Sequence, residues 1–158
     1  MLQSVDMRYW VMKSEPTEFS ITDLARVKTE PWDGIRNYQV RNMFRDMFAV
    51  GDRALFYHSN AEEIGVVGEM EVVSEAYPDP TQFDPDNSHF DAKSSPDKPR
   101  WLLVEVQFVA AFPRTVTLAE LKQQPQFADL PIVQKGNRLS VVELSQQQYN
   151  AIVKIAYE

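Results

Sequence analysis

The run WLLVEVQFVAAF at residues 101–112 most constrains the fold, because its β-branched and aromatic side chains predict a strand that must pair with others and bury apolar surface. Further strand signals precede and follow it. RYWVMK at 8–13 is an aromatic and β-branched run that stops at the turn-forming SEP, and DRALFYHS at 52–59 follows the tight turn VGD. IGVVGEMEVVSEA at 64–76 has apolar residues at alternate places in its second half, so with DRALFYHS it predicts a hairpin joined through SNAEE. RLSVVEL at 138–144 adds another strand. The chain has only five glycines, and in GVVG Gly65 and Gly68 mark a bulge or a close backbone approach rather than a phosphate cradle.

The helix signals are short. SITDLARVK at 20–28, TLAELKQQ at 117–124 and SQQQYNAIVKIAY at 145–157 each begin with a capping-box pair, Ser20 with Asp23, Thr117 with Glu120 and Ser145 with Gln148. In PWDGIRNYQVRNMFRDM at 31–47, PWDG predicts a turn and Asn37 a helix cap. Val40, Met43, Phe44 and Met47 then form one core stripe, with Arg41 and Arg45 on another face. Strands outnumber helices, and the regular strand and helix alternation of a parallel sheet is missing. The expected fold is therefore α+β, a small curled and mostly antiparallel barrel with helices packed on its rim. The Pro-, Asp- and Ser-rich stretch at residues 77–99 reads as one long loop, and no domain boundary is placed.

At 158 residues with 44% hydrophobic residues, the chain is the size of one domain with a sizeable core. No apolar run approaches a membrane span, and the first residues, MLQSVD, lack the features of a signal peptide, so an intracellular, cytoplasmic protein is expected. The absence of cysteine excludes disulfide frameworks, thiolate nucleophiles and cysteine-ligated metals. A formal charge of −7 argues against non-specific coating of nucleic acid. The acidity is uneven: residues 8–60 hold eight Lys/Arg against seven Asp/Glu, and residues 61–158 hold eight against fifteen. A local site for a polar base or an anion fits the first third of the chain.

The candidate chemistry narrows quickly. Of the two histidines, His58 adjoins Ser59 on a strand, where neighbours point to opposite faces, so the pair cannot act as a nucleophile and its base. Asp84, Asp86, Asn87 and Asp91 begin like a calcium loop, but His89 stands where the turn glycine belongs and the closing glutamate is missing. What remains is a set of aromatic and amide residues at strand ends and turns: Trp10, Trp32, Tyr57, Tyr77 and Trp101, with Asn37, Ser59 and Asn60. Stacking planes and edge-reading polar groups are what recognition of a flat heterocycle requires. Core filling is the simpler account of any single tryptophan, above all of mid-strand Trp10. Trp32 is harder to assign to the core, lying in a turn among polar residues. Arg36 reads as an ion-pair partner of Asp33 or Glu30, or with Arg41 as a phosphate contact near a helix start.

Taken together, YWVMKSEP at 9–16, WDGIRNYQVRNMFRDM at 32–47, GDRALFYHSN at 51–60, YPDPTQFDP at 77–85, PRW at 99–101 and RLSV at 138–141 resemble the EVE domain family. The resemblance spans nearly the whole chain from residue 8. It implies a PUA-like fold related to YTH and ASCH domains, here a single domain over residues 1–158 with residues 1–7 as a flexible extension. It also implies a non-catalytic, monomeric reader of nucleic acid carrying a modified base, most often modified cytosine, flipped into an aromatic-lined pocket without metal or cofactor. Carried onto this sequence, the pocket residues are Lys13, Ser14, Trp32, Asn37, His58, Ser59, Asn60, Tyr77, Asp79 and Trp101. Trp32 and Trp101 would stack, while Lys13, Arg36 and Arg41 would meet phosphates. The alternative is an ASCH-like enzyme acting on RNA or modified nucleotides, with Lys13, His58 or Asp79 as acid or base.

Overall fold

The computed structural model describes residues 7–158, so the expected N-terminal extension lies, apart from Met7, outside the described residues. In chain order the elements are β1 (Tyr9–Ser14), α1 (Ile21–Val27), β2 (Thr29–Pro31), α2 (Tyr38–Asp46), β3 (Arg53–His58), β4 (Gly65–Val72) and β5 (Tyr77–Pro78). There follow β6 (Leu102–Leu103), β7 (Glu105–Thr117), α3 (Leu118–Lys122), β8 (Val141–Leu144) and α4 (Gln146–Ala156). Six strands form one curled sheet in the order β2-β7-β4-β3-β1-β8, and β5 pairs with β6 in a small ribbon. All strand pairs are antiparallel except β1 with β3, which run parallel from Tyr9 beside Arg53 to Ser14 beside His58.

Local chemistry sets the helix starts as expected. The three capping boxes form, and the Asn37 side chain accepts from the Val40 N–H at the start of α2. Each such cap contributes about 1 kcal/mol. The β4 bulge also has a local cause: register shifts flank Gly68, and a Cβ there would lie 2.5 Å from the Ala110 carbonyl oxygen.

Alternation along the strands gives the sheet two apolar faces. Trp10, Met12 and Phe56 pack with Leu24 of α1, Val40 and Phe44 of α2 and the turn residue Trp32. Val11, Leu55 and Tyr57 point the other way, toward Leu121, Phe127 and the Tyr149 and Ile152 stripe of α4. Trp10 is wholly buried core, and its Nε1–H donates to Asp52 Oδ2 at 3.0 Å.

Two features depart from the sequence reading. Thr29–Pro31 forms an edge strand against β7, and the stretch at 77–99 is not one structureless loop. It contains β5 and a 3-10 turn at Pro80–Phe83, secured by the buried amide of Gln82. Gln82 donates to the Asp79 and Trp101 carbonyls and accepts from the Ser94 hydroxyl and the Trp101 and Arg100 N–H groups.

Candidate nucleobase-binding cavity

The parallel pair β1 and β3 brings two strand ends to one place. Ser14 and His58 are register partners, and the Ser59 N–H donates to the Ser14 carbonyl at 3.0 Å. Beyond these ends lies a cavity of about 560 Å³, within the roughly 300–1,000 Å³ usual for small-molecule sites. Both edges of the sheet reach it: Glu30 and Pro31 come from β2, and Arg138 and Ser140 lie just before β8. The cavity therefore occupies the seam that the curled sheet leaves between its edge strands.

Trp32 supplies an aromatic wall. Only 7% exposed, it packs edge-on against Phe56 at 5.3 Å and Phe19 at 6.5 Å between ring centroids, and Phe19 lines the cavity beside it. The backbone of the turn is fixed at both ends. Trp32 N–H donates to the Val104 carbonyl at 2.8 Å and Gly34 N–H to Asp79 Oδ2 at 2.8 Å. Gly34 adopts φ +83°, and a Cβ there would fall 2.8 Å from the His89 imidazole, so both its conformation and its neighbour demand glycine.

Of the expected pocket residues, Lys13, Ser14, Trp32 and Ser59 line this cavity, and the others do not. Lys13 is half-buried with its Nζ 5.5 Å from the centre of the Tyr57 ring, and burial lowers its pKa. The Ser14 hydroxyl donates to the Phe19 carbonyl at 2.6 Å.

The remaining residues lie outside this cavity lining, and each has a structural partner. Asn37 has its carbonyl oxygen engaged as the α2 cap. His58 Nε2 accepts from the Ile21 N–H at 3.2 Å and so holds the first turn of α1; burial lowers its pKa, favouring the neutral ring that this bond needs. Asn60, in a left-handed conformation, donates to Glu15. Tyr77 donates its hydroxyl to Glu105 at 2.8 Å, and burial followed by that bond pushes its pKa up to about 12. Trp101 packs against Tyr38 with the rings tilted by 33° and their centroids 4.6 Å apart, and it donates Nε1–H to Asp91, which leaves Trp32 as the tryptophan of the cavity.

Asp79 and Arg36 form the support beneath the Trp32 turn. Asp79 is fully buried and accepts from Gly34 N–H, Arg36 Nη1, Thr81 N–H and the Thr81 hydroxyl. Burial raises its pKa, but the bonds from Thr81, Gly34 and Arg36 outweigh this and hold the carboxyl below its ordinary range. Arg36 pairs with Asp79 rather than with Asp33 or Glu30. Its five N–H donors reach His89 O twice, Ile35 O, Asp79 and Thr81, so Arg36 is a brace with no donor left for phosphate. Arg41 donates to Asn42 and to the Arg100 carbonyl and lies over the Tyr38 ring at 4.8 Å. Of the three candidate acids or bases, His58 and Asp79 are engaged in holding the backbone, and Lys13 lines the cavity.

Sequence reasoning missed Phe19, Glu30, Asp33, His89, Arg138 and Ser140 as lining residues. Asp-Gly announced the turn at Asp33, but nothing local shows that the edge strand carrying Glu30 and the segment before β8 meet across a seam.

Comparison with known proteins agrees with this architecture. The model of the EVE domain matches residues 8–155. Thymocyte nuclear protein 1 of Homo sapiens is 42% identical over 165 residues, covering 93% of this chain and 73% of that protein. A crystal structure of a Pseudomonas syringae protein superposes with a TM-score of 0.90 at 49% identity, covering 94% of this chain and 99% of that one. The crystal structure of human THYN1 protein in complex with DNA containing 5-methylcytosine gives a TM-score of 0.88 at 39% identity, covering 96% of this chain and 98% of that one. The order of the motifs, the curled sheet and the family match over residues 8–155 thus agree, and the chain belongs to the EVE domain family.

Proposed function

We propose that this chain is a non-catalytic binding module that takes a modified nucleobase, modified cytosine above all, into the cavity beside Trp32. The observation that carries the reading is Trp32 itself, an indole fixed by its turn and by Phe56 yet forming a wall of a cavity that also presents Lys13, Ser14, Ser59 and Ser140. Such a site stacks a flat ring and offers polar groups to its edge. The 5-methylcytosine DNA bound by the human family member supports the same choice of ligand.

The charge of the cavity favours a base over a phosphate. Glu15, Glu18, Glu30 and Asp33 line it against Lys13 and Arg138, so an uncharged heterocycle enters and the backbone stays outside. In this reading Arg41 is the arginine that meets a flanking phosphate, and a base must leave its stack to reach Trp32. The module acts as a monomeric single domain, in the cytoplasm or, in a eukaryote, the nucleus. No helix among the described residues is long and apolar enough to cross a membrane.

Fluorescence anisotropy with short oligonucleotides, DNA and RNA, carrying cytosine or 5-methylcytosine tests the proposal. The modified strand is expected to bind more tightly. Trp32→Ala should weaken binding by about 1–3 kcal/mol, the worth of a base–aromatic stack, and Trp32→Phe, which keeps an aromatic ring in the core, by less. Equal or undetectable binding of all strands by the wild-type chain would sink the reading.

A further inference from the structure

A cavity that stacks the face of a base can also read its edge, and here the two kinds of cavity carboxylate differ in an informative way. Glu15 already accepts from Asn60. Glu30, half-buried on β2 two residues before Trp32, and Asp33, at the rim one residue after it, have no ion pair or side-chain hydrogen bond from another described residue. Both carboxyl groups titrate above their ordinary range, chiefly through burial and then through neighbouring carboxylates. They stand as acceptors with no protein donor on the same cavity as the Trp32 wall, open to solvent, and a ligand that brings donors would replace the water around them.

Pyrimidines that share a 5-methyl group differ at the edge such acceptors would meet. 5-Methylcytosine presents its N4 amino group as a donor, whereas thymine presents the O4 acceptor at the same place. They differ also at N3, an acceptor in 5-methylcytosine and an N–H donor in thymine, but the ring face and the methyl group are alike, so the Trp32 face cannot distinguish them and the contact at position 4 must. We propose that Glu30, assisted by Asp33 at the rim, accepts the exocyclic amino group of a cytosine-type base and so rejects thymine and uracil bearing the same 5-substituent. This inference rests on the base-reading function above. A carboxylate facing O4 sets acceptor against acceptor and leaves both desolvated without a partner, the kind of mismatch that separates close analogues most strongly.

The test uses single strands identical except for 5-methylcytosine or thymine at one position, measured by anisotropy with the wild-type chain, Glu30→Gln and Asp33→Asn. The wild type should prefer 5-methylcytosine by about tenfold or more, the scale of one good edge contact. Glu30→Gln, whose amide can donate to O4, should reduce the ratio below about threefold while thymine binds as well as before or better. If wild-type protein binds both strands equally, the edge assignment is overturned while the cavity remains a base site. A ratio unchanged in both variants removes these two carboxylates from the assignment. Failure of every modified strand to bind overturns the base-reading function, and this inference with it.

Discussion

The support beneath Trp32 and the cavity wall beside it use the same kinds of charged side chain under opposite conditions. In the support, Asp79 receives four hydrogen bonds and Arg36 makes five, while the Gln82 amide ties together the segment from Asp79 to Trp101. On the wall, Glu30 and Asp33 lack such partners among the described residues, and Lys13 has only the Tyr57 ring to face. A satisfied buried group fixes geometry, whereas a group that faces solvent beside a cavity remains available to a ligand. Polar residues close together in sequence, Asp33 and Arg36 for example, thus fall on different sides of this division.

The strongest way to break the contrast is to remove a member of the support. Asp79→Ala strips the partner from Arg36 and from the Gly34 N–H, and loss of one member of a buried pair costs about 3–5 kcal/mol. Urea denaturation should show a loss of that size, and at a temperature where the variant still folds the base site should lose affinity because the Trp32 turn is no longer anchored. A loss below about 1 kcal/mol would place Asp79 among groups that contribute like ordinary hydrogen bonds.

This division also explains what could be read from sequence. The helix caps lie within three residues of the groups they serve, so Ser20, Asn37, Thr117 and Ser145 were legible, and so was the core position of Trp10. Trp32 was legible as a candidate for the cavity it lines because a tryptophan in a polar turn needs a special reason. Trp101 and Tyr77 carried the same kind of signal but found partners in Asp91 and Glu105, distant choices made by the fold. The roles of Asp79 and Gln82 were not legible, since their partners reach them from several segments. Glu30 was hidden for another reason: a three-residue edge strand has too little alternation to announce itself, and the cavity arises only when the sheet curls.

His58 tests the boundary between the two regions, being a titratable group engaged in structure. Its pKa in the fold lies below the ordinary 6.5, so the folded protein binds fewer protons than the unfolded chain near that pH. The stability it supplies is complete above pH 6.5 and is lost as the pH falls through the lower folded value. Acidification from pH 7.5 should lower the unfolding free energy, followed by urea denaturation, by about 1 kcal/mol, the worth of the bond to Ile21 N–H. His58→Gln keeps an acceptor that does not titrate, and its midpoint should fall less over the same range.

The smallest effect concerns Glu30 and has the opposite sign. Its folded pKa lies above the ordinary 4.5, with burial the largest cause and repulsion from Asp33 and Asp23 following. The folded chain therefore holds a proton that the unfolded chain releases, so this contribution is full below pH 4.5 and is lost as the pH rises through the folded value. At neutral pH the charge of Glu30 is a cost. Glu30→Gln removes that charge at nearly constant size, and it should raise the unfolding free energy at pH 7, read as a higher thermal midpoint, by no more than the roughly 0.5 kcal/mol usual for surface changes, with the gain vanishing at pH 4. The same substitution is expected to erase the preference for 5-methylcytosine over thymine. A residue whose replacement stabilises the fold while weakening discrimination is one held for its ligand. If Glu30→Gln instead destabilises the protein at pH 7, Glu30 belongs with Asp79 in the support, and the distinction between the two regions fails at this residue.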